Sequence, residues 1–188
     1  MTTRSDGTST EPAGRTATIL VCPLSKVAET AERHGAGRVL SLIGDPDLCR
    51  TPAGVTDHLV VHVHDIVAAN DTQILADVSH VEQVIEFARS WDGTRPMVVH
   101  CFAGISRSTA SAFIAACVLQ PDRDEAEIAA EIRSASPTAY PNRHLVALAD
   151  RVLGRDGRMV DAVERIGRGE PAEEGVPFEL TLRLAPAR

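Results

Sequence analysis

One nonapeptide constrains this chain more than any other stretch: His100-Cys101-Phe102-Ala103-Gly104-Ile105-Ser106-Arg107-Ser108. Before it, Met97-Val98-Val99 is a compact apolar run that reads as a buried strand. After it, residues 108–119 read as an apolar helix rich in small side chains. Strand, tight loop and helix start follow one another. In that order the loop's backbone N–H groups, unpaired at a helix N-terminus, converge on a centre backed by the positive end of the helix dipole, which makes an anion site.

Two side chains turn this anion site into a reaction site. Cys101 stands at the start of the loop, where the same amides and dipole would stabilise a thiolate, the nucleophilic form of the side chain. Arg107, six positions on, can return to the centre and present a planar fork of donors to two oxygens of a tetrahedral anion, which lysine cannot do. Gly104 allows a close backbone turn. Ser106 and Ser108 bring hydroxyls to the start of the helix, one to cap it and one to hydrogen-bond the sulfur. Phosphate is the natural occupant, bound by Phe102, Ala103, Gly104, Ile105 and Ser106 of the loop together with Arg107.

The stretch Cys-Phe-Ala-Gly-Ile-Ser-Arg-Ser, preceded by His100, resembles the signature loop of the cysteine-dependent protein tyrosine phosphatases and is closest in form to their dual-specificity branch. The resemblance covers residues 39–139, and the remaining C-terminal portion looks like a bacterial variant of the family. It implies a phosphatase that forms a phosphocysteine on Cys101, binds the phosphoryl group with Arg107, and uses Ser108 to stabilise the departing thiolate. His100 would hold the loop. The resemblance also implies a general acid: an aspartate on the loop after the strand that neighbours the signature strand, some thirty residues before the cysteine. Asp65, at a strand's carboxyl end, and Asp71, in Ala69-Asn70-Asp71-Thr72-Gln73, compete for that role, with Asp65 preferred for its place at the strand end. The chemistry calls for no metal and no cofactor.

The rest of the chain reads as one α/β domain with a central, mainly parallel sheet of four to five strands flanked by helices. A length of 188 residues and 44% hydrophobic residues suffice for a core. Residues 1–15 read as a disordered tail rich in Thr, Ser and Gly, 16–169 as the phosphatase domain, and 170–188 as an acidic linker followed by a strand. Strands are expected over 16–24, 38–43, 58–64 and 96–100. Helices are expected over 25–34, with Ser25 as N-cap, and over 77–91, 108–120, 122–134, 142–153 and 157–167. Strands separated by helical stretches imply parallel pairing. The alternation Phe178-Glu179-Leu180-Thr181-Leu182-Arg183-Leu184 marks an edge strand or a segment that pairs with a partner.

Composition excludes some functions and leaves others open. A net charge of −7 argues against nonspecific nucleic-acid binding, so any attraction for phosphate is local. No run of eighteen apolar residues exists to cross a membrane. Cys22, Cys49, Cys101 and Cys117 show no paired spacing, and a thiolate nucleophile needs a reducing compartment, so a cytoplasmic protein is expected. His62 and His64 alternate along a strand without a cysteine or carboxylate cluster at ligand spacing, and core or surface hydrogen bonding explains them. Asn142 reads as a helix N-cap, and Arg143 beside it lies where the resembled family lines its site. The partner implied is a phosphorylated protein or another phosphate monoester, with phosphotyrosine first and phosphoserine or phosphothreonine open. Two other readings stand beside the enzyme: a catalytically weak module that binds a phosphorylated partner, and a sulfurtransferase whose loop would cradle a persulfide.

Overall fold

The structure is a computed structural model that describes residues 15–184. The expected tail falls outside the described residues except for Arg15, which opens the first strand and pairs with Leu184. Five strands form one sheet: β1 (Arg15–Pro23), β2 (Arg38–Ile43), β3 (Asp57–His62), β4 (Met97–Cys101) and β5 (Phe178–Leu184). Their order is β3-β2-β4-β1-β5. The first four pair in parallel, and β5 runs antiparallel along β1 from Arg15↔Leu184 to Val21↔Phe178. The alternating C-terminal segment is thus the edge of the chain's own sheet.

Sequence and position agree strand by strand. β4 is buried at all five residues and β2 at five of six, as expected of parallel strands covered on both faces. β5 alternates buried and exposed residues because helices cover only one of its faces. On one side of the sheet, α1 (Val27–His34) packs Val27 and Ala31 against Leu20, Cys22, Val39 and Val98. The opposite side carries the larger core, where Ile19, Val21, Leu40, Leu42 and Val99 meet α2 (Val78–Arg89) and α3 (Arg107–Leu119). From Arg107 to Cys117 every residue of α3 is buried, and its alanines let neighbouring backbones approach. Phe113 is fully buried in this core, and its truncation to alanine would cost roughly 3–5 kcal/mol. The remaining helices, α4 (Glu125–Ala135), α5 (Arg143–Leu153) and α6 (Arg158–Ile166), pack chiefly against α3, α2 and one another, with α4 reaching β5. They form an outer layer rather than lying directly on the sheet.

Two local expectations shift and a third holds. Residues 24–26 form a 3-10 turn, so α1 begins at Val27, and Ser25 donates its hydroxyl hydrogen bond to Glu174 Oε2 at 2.9 Å instead of capping the helix. β3 stops at His62 because the chain turns away there: the Val63 amide still bonds to Ile43 O at 3.1 Å, but that of His64 goes to Ile74 O. Asn142 is the N-cap of α5, its Oδ1 accepting from the amides of His144 and Leu145 at 3.1 Å each. The parallel strands bring Pro23, Ile43, His62 and Cys101 to the same edge of the sheet, the edge where open α/β folds place their sites.

Candidate active site

Cys101 is the last residue of β4 and Arg107 the first of α3, and the five residues between them make the loop. What shapes this loop is the fate of its carbonyls. Phe102 O accepts from the Leu24 amide at 3.0 Å, Ala103 O from Gly175 at 2.8 Å, Ile105 O from Tyr140 at 2.9 Å and Ser106 O from Asn142 at 3.2 Å. Four amides from outside the loop therefore draw its carbonyls outward. In a trans peptide the N–H points opposite to the C=O, and no peptide bond among the described residues is cis. The amides of Ala103, Gly104, Ser106 and Arg107 consequently turn inward and make a concave nest of donors. No side chain caps α3 at Ser106, so the helix N-terminus faces the same centre.

The Cys101 sulfur lies within this concavity. Gly104 N–H donates to Sγ at 3.3 Å, and the Ser108 hydroxyl lies 3.3 Å from it on the other side. Gly104 is irreplaceable on two counts. Its φ of +73° suits glycine, and a Cβ there would stand 2.6 Å from the Pro23 nitrogen, where β1 passes behind the loop. His100, buried beside the cysteine, contacts Cys101 O through Nδ1 at 3.3 Å and the Ser41 hydroxyl through Nε2. Ser41 continues to His58 Nε2 at 2.7 Å, and His58 Nδ1 to the Thr51 hydroxyl at 2.8 Å. Burial pushes His100 down to about 4, so the ring is neutral at ordinary pH. Neutrality makes one nitrogen a donor and the other an acceptor. Since Cys101 O can only accept, Nδ1 carries the proton, and the Ser41 hydroxyl donates to Nε2.

Arg107 is 7% exposed, and its guanidinium is incompletely partnered. Nη1 donates to Val63 O at 3.0 Å, while Nε, 3.9 Å from Asp65 Oδ2, is buried with no hydrogen-bond partner among the described residues. A buried cationic donor left unmet favours an anion. Asp65 Oδ1 accepts from the Ser106 hydroxyl at 2.7 Å and from Asn142 Nδ2 at 2.9 Å, which ties the carboxylate to the loop and to the start of α5. Asp71 is exposed on a turn organised by the Asn70 side chain, which accepts from the amides of Thr72 and Gln73. The structure thus brings Cys101, Ser106, Arg107, Ser108, Asp65 and Asn142 together and leaves Asp71 outside that cluster. Phe102 points outward, 56% exposed.

A cleft of about 850 Å³ opens beside Asp65 and Ser106. Ile66, Val67 and Ala68 line one part of it, Ile105, Tyr140 and Pro141 another, and Arg143, Ala172 and Glu173 complete it. Sequence reasoning missed the amides of Leu24, Tyr140 and Gly175, the Ser41–His58 chain and the wall at Ala172 and Glu173. Backbone donors leave no compositional trace, so only Asn142, noted for its side chain, was visible. His62 Nε2 donates to Gly44 O at 2.6 Å and His64 Nδ1 accepts from the Ile74 amide at 3.0 Å, so both rings serve the backbone. Among the described residues no three His, Cys, Asp or Glu side chains gather as a metal-holding group, and no helix is long and apolar enough to cross a membrane.

The family model for protein-tyrosine phosphatase matches residues 52–144, which include Asp65, the whole signature loop and Asn142. No curated protein sequence matches the chain. Among solved structures, DUSP15 superposes with a TM-score of 0.56 at 18% identity over 79% of this chain and 89% of its own. Human DUSP28 does so at 0.56 and 19% over 73% and 88%. The human tyrosine phosphatase-like serine/threonine/tyrosine-interacting protein does so at 0.56 and 17% over 73% and 92%. At such identities these structures speak for the fold. Joined to the matched segment and the loop inside it, they give the chain the dual-specificity phosphatase fold, with residues 52–144 similar to protein-tyrosine phosphatase.

Proposed function

We propose that this protein hydrolyses phosphate monoesters, phosphotyrosine on proteins foremost, through a phosphocysteine on Cys101. The observation that carries the reading is the sulfur of Cys101 facing an inward-turned amide, with the unmet Nε of Arg107 buried nearby. A phosphate dianion seated in the nest would accept hydrogen bonds from the loop amides and from Arg107. The Cys101 thiolate attacks phosphorus in line as the bond to the leaving oxygen breaks. Asp65, holding a proton, gives it to that oxygen. Water then attacks the phosphocysteine and loses its proton to the same carboxylate, while the thiolate departs toward the Ser108 hydroxyl. The nest stabilises charge spread over the equatorial oxygens, and losing one such donor costs roughly 2.7–4 kcal/mol of barrier.

The apolar cleft beside Asp65 supports an aromatic leaving group, since Ile66, Val67, Ile105 and Pro141 offer a ring an unpolar surround. Phosphoserine and phosphothreonine proteins remain within reach of a site this open. A second reading, a phosphate-binding module with little turnover, draws on the human neighbour named for interaction. Steady-state hydrolysis of para-nitrophenyl phosphate across pH separates the two. The enzyme reading expects turnover by the wild type, none by Cys101→Ser with phosphate binding retained, a large loss in Arg107→Ala, and a flattened basic limb in Asp65→Ala but not in Asp71→Ala. Binding of phosphate without turnover by the wild type would sink the enzyme and keep the module.

A further inference from the structure

The C-terminal segment between α6 and β5 crosses the candidate site instead of leaving it. Residues 167–177 are held along their length. At the start, the Arg133 guanidinium donates to Ile166 O at 2.9 Å, to Gly167 O at 3.2 Å and also to Ala139 O, which fastens the strap to the loop before α5. Gly169 lies so close to Thr138 that a Cβ would stand 2.6 Å from its carbonyl, and the Glu170 amide bonds to Pro137 O at 2.9 Å. Farther on, Gly175 N–H donates to Ala103 O within the signature loop, and Glu174 takes the Ser25 hydroxyl. The pairing of β5 with β1 secures the far end. Between these fixed points Ala172 and Glu173 form part of the cleft wall, on the same cavity as Asp65, Ile105 and Tyr140.

We infer that this strap is the substrate-selecting wall of the site, and that Glu173 favours phosphotyrosine peptides with a lysine or arginine next to the phosphorylated residue over those with acidic neighbours. The inference rests on the phosphatase reading above. The nest and Arg107 supply a local positive field spent on the phosphate itself, whereas the adjoining wall ends in an exposed carboxylate. Glu170 and Glu174 flank it on a chain of net charge −7. A cationic side chain beside the phosphotyrosine meets an opposite charge there, and an acidic one meets repulsion, which is the form specificity takes at charged rims. The cationic side chain on the cleft wall, Arg143, lies 3.6 Å from Glu164, which moderates its pull on acidic peptides.

The test uses the full chain and two phosphotyrosine peptides that differ only in flanking Lys or Glu residues. The readout is the ratio of their kcat/KM values, in which any general loss of activity cancels. The wild type should prefer the basic peptide by about two- to fivefold, since one exposed charge carries no more. The preference should shrink as salt rises. Glu173→Lys should invert the ratio and Glu173→Gln should bring it near one. Glu170→Lys, an equal change of net charge off the cleft wall, should shift it distinctly less than Glu173→Lys. An unmoved ratio in Glu173→Lys, or an equal shift in Glu170→Lys, overturns the role of Glu173. Should the wild type hydrolyse neither peptide nor para-nitrophenyl phosphate, the phosphatase reading fails instead. The same ratio is then read from peptide dissociation constants, where an unchanged ratio between wild type and Glu173→Lys still condemns the wall.

Discussion

Two strand-to-helix junctions lie side by side in this sheet, and each carries a cysteine at the carboxyl end of its strand. In β1 and β4, Cys22 pairs with His100 and Pro23 with Cys101. Both sulfurs belong to side chains only 1% exposed, so burial does not distinguish them. Around Cys22 burial dominates and pushes the thiol up to about 12; a hydrogen bond with Thr30 opposes the rise weakly and the neighbouring Cys101 adds to it. After Cys22 comes proline, which has no N–H, and then a 3-10 turn whose first amide, from Leu24, is committed to Phe102 O. After Cys101 come five residues, four of whose carbonyls are drawn outward, among them a glycine whose amide points at the sulfur. In the proposed mechanism the donors aimed at a buried thiol set it apart as the nucleophile, and the β1 junction devotes its donor to building the nest of the other.

That contrast can be broken most sharply at the two sulfurs. Cys101→Ser should reduce aryl phosphate hydrolysis by more than about 10³-fold, whereas Cys22→Ser should retain turnover within about tenfold. Equal losses would erase the distinction. Next in size, Arg107→Lys keeps the charge but loses the planar fork, and kcat/KM should fall by roughly 10²–10³. A smaller effect would mean that charge alone suffices.

Glycine offers a third comparison. Gly104→Ala meets a φ of +73° and β1 backbone 2.6 Å away, while Gly35→Ala, after α1, meets a φ of +62° with nothing within 4 Å. Gly35→Ala should cost roughly 1–2 kcal/mol of stability and leave turnover intact. Gly104→Ala should cost more in denaturant melts and disrupt the nest, lowering turnover about tenfold or beyond; matching behaviour of the two variants would deny the close approach. The gentlest probe is pH. With His100 at about 4 in the folded chain and near 6.5 unfolded, the unfolded chain binds the extra proton between those values. Stability therefore rises with pH across that window and falls on acidification from 6.5 toward 4, by on the order of 3 kcal/mol. Cys22 acts at the other extreme: the unfolded thiol ionises near 9 and the folded one near 12, so the β1 junction loses stability as pH climbs through that range. His100→Gln should flatten the acid limb and spare the alkaline one; an unchanged acid limb would remove His100 as its source.

How much was legible follows from the range of each interaction. The loop, its flanking strand and helix, and the pairing of Cys101 with Arg107 lie within a dozen residues, and their geometry is local: a strand end, a positive-φ glycine and a helix start. The parallel sheet could be read from apolar runs alternating with helical stretches. Asp65 and Asp71 could not be told apart by spacing, because their difference lies in which one Ser106 and Asn142 hold, 41 and 77 residues away. The alternation of β5 fixed its strand character but not its partner, since an edge strand pairs wherever main-chain groups are free.

The sequence by itself determined that a sulfur and a guanidinium would share a ring of amides, because residues six apart across one turn have few other places to go. Tertiary structure alone decided what closes that ring and what stands beside it. Amides from Leu24, Tyr140, Asn142 and Gly175 claim the loop's carbonyls, and Glu173 reaches the cleft through a strap pinned at both ends. Those contacts depend on how β1, β4, α5 and β5 are brought together. Backbone donors are the same chemical group at every position except proline, so only the fold can say which of them meet.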